Sequence, residues 1–459
     1  MKKGIFQILI ANIFNLIIGI VLSFMVPKFL SVDSYAMYKM YALYVTYAGI
    51  FHFGYVDGMY LKYGGKRIDK INRGDLAKNY KNFFYIISIV AVLFLIVGLI
   101  TNDYIIICFS VGQFTTNLLS YLRSLYQATG EFSLYSKALN IEKIGVFVFT
   151  FLFLFVFRSD NYLVYIIIQV VVGAIASSFL LFNLNKRLCF ISKGGFSFSE
   201  CVSNISSGIV LMLGNFSSGL FTGLDRWFVK FLMSSSSFAM YSFSSSLLNL
   251  LNVFISPITI SLYNYFCKKL DFSKIVHMKE LILAWSLLLI AGAYPVKWVI
   301  LNFLEKYENS IRIIFILFAA QIFISIIQGV YVNLYKANHM QKYYFVQMIS
   351  VLIMGIITNG MFYLMNSTLE TFAYATLFTY FIWFLICELK NREICFKISN
   401  YVMILFLVIV YFGTGFLLNP IVGLLIYIAT YVICISILMP SVVDFVLNLL
   451  RNAYLKLNN

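Results

Sequence analysis

Apolar stretches long enough to cross a bilayer follow one another from Ile5 to Met439 with little between them. This fixes the solvent before any motif is read. A spanning helix needs about 20 apolar residues. The stretches fall near 5–26, 35–56, 83–101, 104–122, 139–157, 162–184, 203–224, 238–262, 281–301, 311–334, 344–365, 370–388, 400–418 and 421–439. Charged residues are only 11% of the chain, too few to cover a soluble globule of this length. A closed β-barrel would need apolar/polar alternation, whereas runs such as Ile86–Ile100 are continuous. The expected fold is an all-α integral membrane protein of about 14 transmembrane helices.

The net charge of +16 does not point to nucleic acid, because of where the charge lies. Starting from Lys2 and Lys3, most lysines and arginines fall in alternate loops. That is the positive-inside pattern, and it implies an even number of spans with both termini cytoplasmic. The densest cluster, Lys62, Lys66, Arg67, Lys70, Arg73, Lys78 and Lys81, reads as a topology anchor beside anionic lipid. The amino-terminal run is too long for a signal peptide and lacks a small-residue cleavage site, so it reads as a retained first span.

Several functions find no support. Gly64-Gly65-Lys66-Arg67 ends in Gly-Lys, but a phosphate-binding loop needs an earlier glycine where Tyr60 stands and Ser or Thr where Arg67 stands. The cysteines (108, 189, 201, 267, 387, 395, 434) and histidines (52, 277, 339) have no metal-ligand spacing. No cofactor is expected, and no Ser-His-Asp set or outward carboxylate pair stands out.

An internal repeat is visible. Lys28-Phe29-Leu30 followed by Tyr35-Ala36-Met37-Tyr38 returns as Lys230-Phe231-Leu232 followed by Phe238-Ala239-Met240-Tyr241, 202 to 203 residues on. Basic loops follow spans two and eight alike. The expected organisation is an N-lobe over 1–199 (spans one to six), a C-lobe over 200–398 (spans seven to twelve) and two additional spans over 399–459. Six spans per copy make a parallel repeat. The loops are too short to hold an extracytoplasmic domain.

Charge in the bilayer costs at least about 2.5 kcal/mol and is usually set against a cavity or a partner. Lys28, Asp225, Arg226 and Lys230 lie at the outer ends of spans one and seven, with Lys39 and Lys297 about one turn inside spans two and nine. Two readings stand: side chains snorkelling to headgroups with a local Asp225–Arg226 pair, or an anion-attracting cavity between the lobes. Arg123, at the inner end of span four, is a topology flank or a ligand. Span two carries tyrosines at 35, 38, 41, 44 and 47, fit for packing or for stacking on sugar rings. Gly54-x-x-x-Gly58 and Gly219-x-x-x-Gly223 permit close helix contact. Asn12, Asn15, Gln113, Asn117, Asn215, Gln321 and Gln328 are intramembrane amides, suited to interhelical bonding or to cavity lining.

Four segments carry a family resemblance: FLSVDSYAMYKMYALYVTY from Phe29 to Tyr47, FGYVDGMYLKYGGK from Phe53 to Lys66, LYQATGEFSLYSKALNIEK from Leu125 to Lys143, and LGNFSSGLFTGLDRWFVKFLMSSSSFAMYSFS from Leu213 to Ser244. With the span count, the chain resembles the Wzx-type polysaccharide flippases of the MATE-like, oligosaccharidyl-lipid and polysaccharide exporter superfamily. The resemblance implies a V-shaped, two-lobed transporter that alternates access. Its substrate would be a polyprenyl-pyrophosphate-linked oligosaccharide (an O-antigen or capsule unit), moved between leaflets of the bacterial cytoplasmic membrane and coupled to an ion gradient. Its partners would be that substrate, membrane lipids, a glycan polymerase and other surface-polysaccharide assembly proteins. By position in the spans, the family's cationic cavity maps onto Lys28, Lys39, Asp225, Arg226, Lys230 and Lys297. Asp57, Glu142 and Asp225 are the candidate ion-coupling carboxylates. Two other functions stay open: a multidrug exporter of the same fold, which would want acidic groups inside the lobes, and a membrane O-antigen polymerase or ligase, which would want a large outer loop.

Overall fold

The computed structural model describes residues 17–188, 195–266, 272–338 and 340–457. Among them there is no strand. In lipid the backbone must bond within its own segment, and a helix does this. The helices are α1 (Ile17–Phe29), α2 (Val32–Thr46), α3 (Tyr55–Tyr63), α4 (Arg73–Thr101), α5 (Tyr104–Ala128), α6 (Phe132–Phe155), α7 (Tyr162–Leu188), α8 (Phe198–Leu232) and α9 (Ser235–Phe266). After these come α10 (Phe272–Leu289), α11 (Ala293–Phe303), α12 (Ser310–Ile326), α13 (Val332–Ala337), α14 (Gln341–Met365), α15 (Glu370–Lys390), α16 (Ile398–Leu417), α17 (Pro420–Leu438) and α18 (Pro440–Leu457).

Among the described residues, eleven spans are long and apolar enough to cross a membrane, or 12 with the bent α8 counted as one; α10–α11 and α12–α13 each form a single span. Every apolar stretch from residue 83 onward falls on one of them. The second stretch is not one helix. It is α2, a 3-10 turn over Ala48–His52, and then α3. Phe53 (φ 51°) and Gly54 (φ 81°) are left-handed at the break. The α8 bend lies between Ser217 and Gly219, with the Ser217 hydroxyl bonded back to the Leu213 carbonyl at 2.7 Å; serine back-bonding and glycine are ordinary sources of kinks.

Local chemistry sets the ends. Asn72 Oδ1 accepts from the Gly74 and Asp75 amides at α4, and Asp103 Oδ1 accepts from Ile105 and Ile106 at α5. Asn419 caps α17 with Pro420 at its first position. These are standard helix starts.

The chain divides into two compact units, residues 1–223 and 224–459. In the first, α3 buries Tyr55, Met59 and Tyr63, spaced one turn apart, in a core with Phe83, Tyr121, Tyr126 and Leu180. In the second, α12 is the buried central helix. The two C-terminal spans pack into this second unit. Tyr427 and Tyr431 donate to the Leu287 and Ala284 carbonyls at 2.8 and 2.9 Å, and Tyr294 donates to the Tyr411 carbonyl at 3.2 Å.

The two matching segments start their helices in the same way. Ser31 Oγ accepts from the Ser34 amide at 3.3 Å and starts α2; Ser234 Oγ accepts from the Ser237 amide at 3.2 Å and starts α9. Tyr35 and Ala36 are buried at the one start, and Phe238 and Ala239 at the other. Asn12, Asn15, Cys189, Cys267 and His339 lie outside the described residues.

Candidate functional site

One polar cavity stands out in the first unit. Its volume is about 610 Å³, and its walls are drawn from α1, α2, α5, α6 and α7. Helix α5 supplies a polar stripe of Thr116, Ser120, Arg123, Ser124 and Gln127. Their spacing of i, i+4, i+7, i+8 and i+11 puts them on one face of a helix. Opposite stand Tyr38 and Tyr41 of α2, Tyr135 and Glu142 of α6, and Gln169 of α7. Gln169 Nε2 donates to the Tyr38 hydroxyl at 2.7 Å.

Arg123 and Glu142 form an ion pair between α5 and α6, each side chain about one quarter exposed (21% and 25%). A pair held this way reduces the cost of each charge in a low-dielectric bundle. Arg123 Nε is buried and has no acceptor among the described residues, so the guanidinium keeps donor capacity beyond its carboxylate.

The other candidate residues have these surroundings. Lys28 is exposed at the end of α1. Lys39 lies over the rings of Tyr35 and Tyr38 at 5.3 and 5.8 Å, within reach of a cation–π contact. Asp57, half-buried on α3, accepts from Asn215 Nδ2 at 3.5 Å. Asp225 is buried: Oδ2 accepts from Tyr241 at 2.7 Å and Thr376 at 3.4 Å, and Oδ1 from the Arg226 amide at 2.8 Å. Its bonds thus go to hydroxyls and backbone, not to the neighbouring guanidinium. Arg226 Nε is buried without an acceptor among the described residues. Lys230 lies over Trp227 and Phe231. Lys297 donates to the Gly415 and Leu418 carbonyls, both at 2.8 Å, where a cation meets the negative end of α16.

The intramembrane amides resolve toward bonding between segments. Gln113 donates to the Ile87 carbonyl, Asn117 to the Ala48 carbonyl and Gln321 to Asn252. The first glycine motif makes a close contact: a Cβ on Gly54 would lie 2.6 Å from the Ile209 backbone, and one on Gly58 would strike the Asn204 carbonyl. Gly219 faces open space.

Sequence reasoning passed over Ser120, Ser124, Gln127, Tyr135 and Gln169. The polar spacing on span four was the signal for the first three. It also passed over a buried hub in the second unit. There Lys279 pairs with Glu388 and donates to the Ile394 carbonyl at 2.8 Å. Glu388 also accepts from Tyr331 (2.6 Å), Tyr401 (2.7 Å) and the Phe396 amide (3.1 Å). Tyr331 ends a π-helical turn over Ile327–Tyr331. Two further cavities in this unit, about 690 and 650 Å³, have almost wholly apolar walls and offer little to a polar headgroup.

The profile of a family described as polysaccharide biosynthesis protein matches residues 1–270. Among solved structures, the fold is similar to "Lipid II flippase MurJ, inward closed conformation": TM-score 0.64 and 17% identity over 95% of this chain and 99% of that one. It is also similar to an inward-facing multidrug resistance MATE family transporter of the MOP superfamily: TM-score 0.53 and 11% identity over 84% of this chain and 95% of that one. At such identities the likeness is one of fold. No curated protein sequence matches the chain significantly.

Proposed function

Because the chain belongs to the polysaccharide biosynthesis protein family, we propose that it is a flippase and not an enzyme. It moves a polyprenyl-pyrophosphate-linked oligosaccharide, the repeat unit of an O-antigen or capsule, from the inner to the outer leaflet of a bacterial cytoplasmic membrane. Both termini face the cytoplasm, and access alternates.

The observation that carries this reading is the Arg123–Glu142 cavity, a polar chamber among membrane-spanning helices of the first unit. A headgroup crossing lipid needs such a refuge, since each unmet polar group there costs several kcal/mol. The fold shared with a protein titled a lipid II flippase agrees with a lipid-linked cargo. The proposal assigns the pyrophosphate to the cations Arg123, Lys28, Lys39, Arg226, Lys230 and Lys297, beside Asp225. Asp225, Asp57 and Glu142 are the carboxylates assigned to ion coupling. An exporter of cationic drugs is the weaker reading, because the one carboxylate lining the cavity, Glu142, is already paired with Arg123.

The test is Arg123→Ala in an otherwise intact strain. Losing a charge-assisted hydrogen bond to substrate lowers surface glycan about tenfold or more, while lipid-linked units accumulate. Normal surface glycan from a well-expressed Arg123→Ala, Lys39→Ala, Arg226→Ala triple variant rejects the assignment. Lost resistance to cationic dyes with glycan untouched favours the exporter.

A further inference from the structure

We infer that His52 is a proton-binding site built into the break of the second span, and that taking up a proton releases the joint by which α3 is seated on α8. Its use in coupling rests on the flippase reading, where it joins the carboxylates already assigned.

A broken span leaves backbone groups without helical partners. The two sides of this break meet that need differently. On the α2 side the Ala48 carbonyl accepts from Asn117 Nδ2 at 3.0 Å, and an amide does not titrate. On the α3 side the buried Gly54 amide donates to His52 Nδ1 at 3.1 Å. A ring nitrogen that accepts carries no proton, so this bond requires neutral imidazole with its proton on Nε2. Imidazolium carries a proton on both nitrogens. Protonation therefore turns the acceptor into a donor, and the Gly54 bond is lost.

That bond holds a tight joint. Phe53 and Gly54 are both left-handed, at φ 51° and 81°, and a phenylalanine stays there only while its surroundings hold it. Just beyond, Gly208 of α8 lies so close that a Cβ on it would stand 2.1 Å from the Gly54 carbonyl oxygen and 2.2 Å from the Gly58 nitrogen.

The elements around the turn offer the ring no counter-charge. Helix α4 sets Phe94 on Phe51 and has no charged residue from Asn82 to Thr101. Helix α5 brings Phe109 and Asn117, with Tyr121 bonded to Asn79 and Arg123 paired with Glu142. From α2 come Tyr44 and Tyr47, and from α8 Gly208 and Ile209. On α3, Asp57 accepts from Asn215, and Lys62 pairs with Glu200. A buried cation with no counter-charge is costly, so the proton binds the opened joint better than the closed one and shifts the balance toward it.

The experiment is hydrogen exchange by mass spectrometry on the full-length protein in nanodiscs. It compares about pH 8 with about pH 5, on either side of ordinary imidazole titration, with rates corrected for the chemical effect of pH and α12 as the reference. Wild-type α3 loses about tenfold in protection on acidification, as one buried hydrogen bond requires. His52→Asn supplies an oxygen that accepts from the amide two residues on and does not titrate, so α3 stays protected at both values. His52→Ala leaves α3 loose at both. Equal protection of wild-type α3 at both values overturns the site, even where His52→Ala fails to fold. A His52→Asn variant that responds to pH as the wild type does overturns it as well. In liposomes, an imposed pH gradient speeds wild-type transfer of lipid-linked oligosaccharide and leaves His52→Asn unaffected; an equal response of the two overturns the coupling role. A wild type that transfers no such lipid, while its α3 still responds to pH, removes the flippase reading and leaves the proton site standing.

Discussion

At the scale of single residues, the most demanding chemistry lies where a charge has no water. Lys279 and Glu388 are both buried, at 0% and 4% side-chain exposure. The pair draws α10, α15, α16 and the π-helical Tyr331 onto one carboxylate. Leaving one member of such a pair alone is far worse than losing both. Glu388→Ala therefore costs about 3–5 kcal/mol, and Lys279→Met a comparable amount. The double variant costs much less than the sum of the two, because neither charge is left stranded. A double-mutant cycle on unfolding in mixed micelles checks this; strict additivity contradicts it. Neither residue was legible as part of a hub. A lysine and a glutamate at the ends of two different spans carry no local sign of a pair, and 109 positions separate them. Arg123 and Glu142 were legible as charges but not as a pair, since their meeting depends on how α5 and α6 turn against each other.

At the scale of elements, legibility follows range. Span positions could be read because twenty apolar residues in a row have one stable form in lipid. The likeness of the two matching segments is local: a serine cap and a buried aromatic one turn on, at Ser31 with Tyr35 and at Ser234 with Phe238. The break in the second stretch could not be read, because its cause is distant. Gly54 and Gly58 turn and seat α3 against Gly208 of α8, and nothing near residue 54 announces residue 208. A methyl group on Gly208 would land on the Gly54 carbonyl and the Gly58 amide. Backbone has no rotamer with which to yield, so Gly208→Ala sits at the upper end of the about 1–3 kcal/mol for overpacking. Gly413→Ala, which meets open space, is the control. Thermal denaturation of the two variants side by side measures the difference, and equal midpoints would refute the close-contact account.

At the scale of the whole molecule, the two spans after residue 398 are either an attachment to the second unit or a part that its fold requires. Their contacts favour the latter. Tyr411 and Tyr427 are buried against Tyr294 and Phe315. Lys297 finds its hydrogen-bond acceptors on Gly415 and Leu418. Removing α16 to α18 strips partners from Tyr294, from the Leu287 and Ala284 carbonyls, and from an ammonium group inside a span. A stranded charge in lipid costs at least about 2.5 kcal/mol, apart from the lost packing. A chain cut after Lys397 is therefore expected to aggregate on extraction, where the full chain elutes as a single species. Adding Tyr294→Phe and Lys297→Met to the truncated chain removes the stranded groups and recovers part of the folded peak, whereas Lys297→Met in the full chain loosens the α11–α16 contact alone. Size-exclusion chromatography of the four forms reads this directly. A truncated chain that elutes as cleanly as the full one, without the two substitutions, would make the last spans an attachment after all.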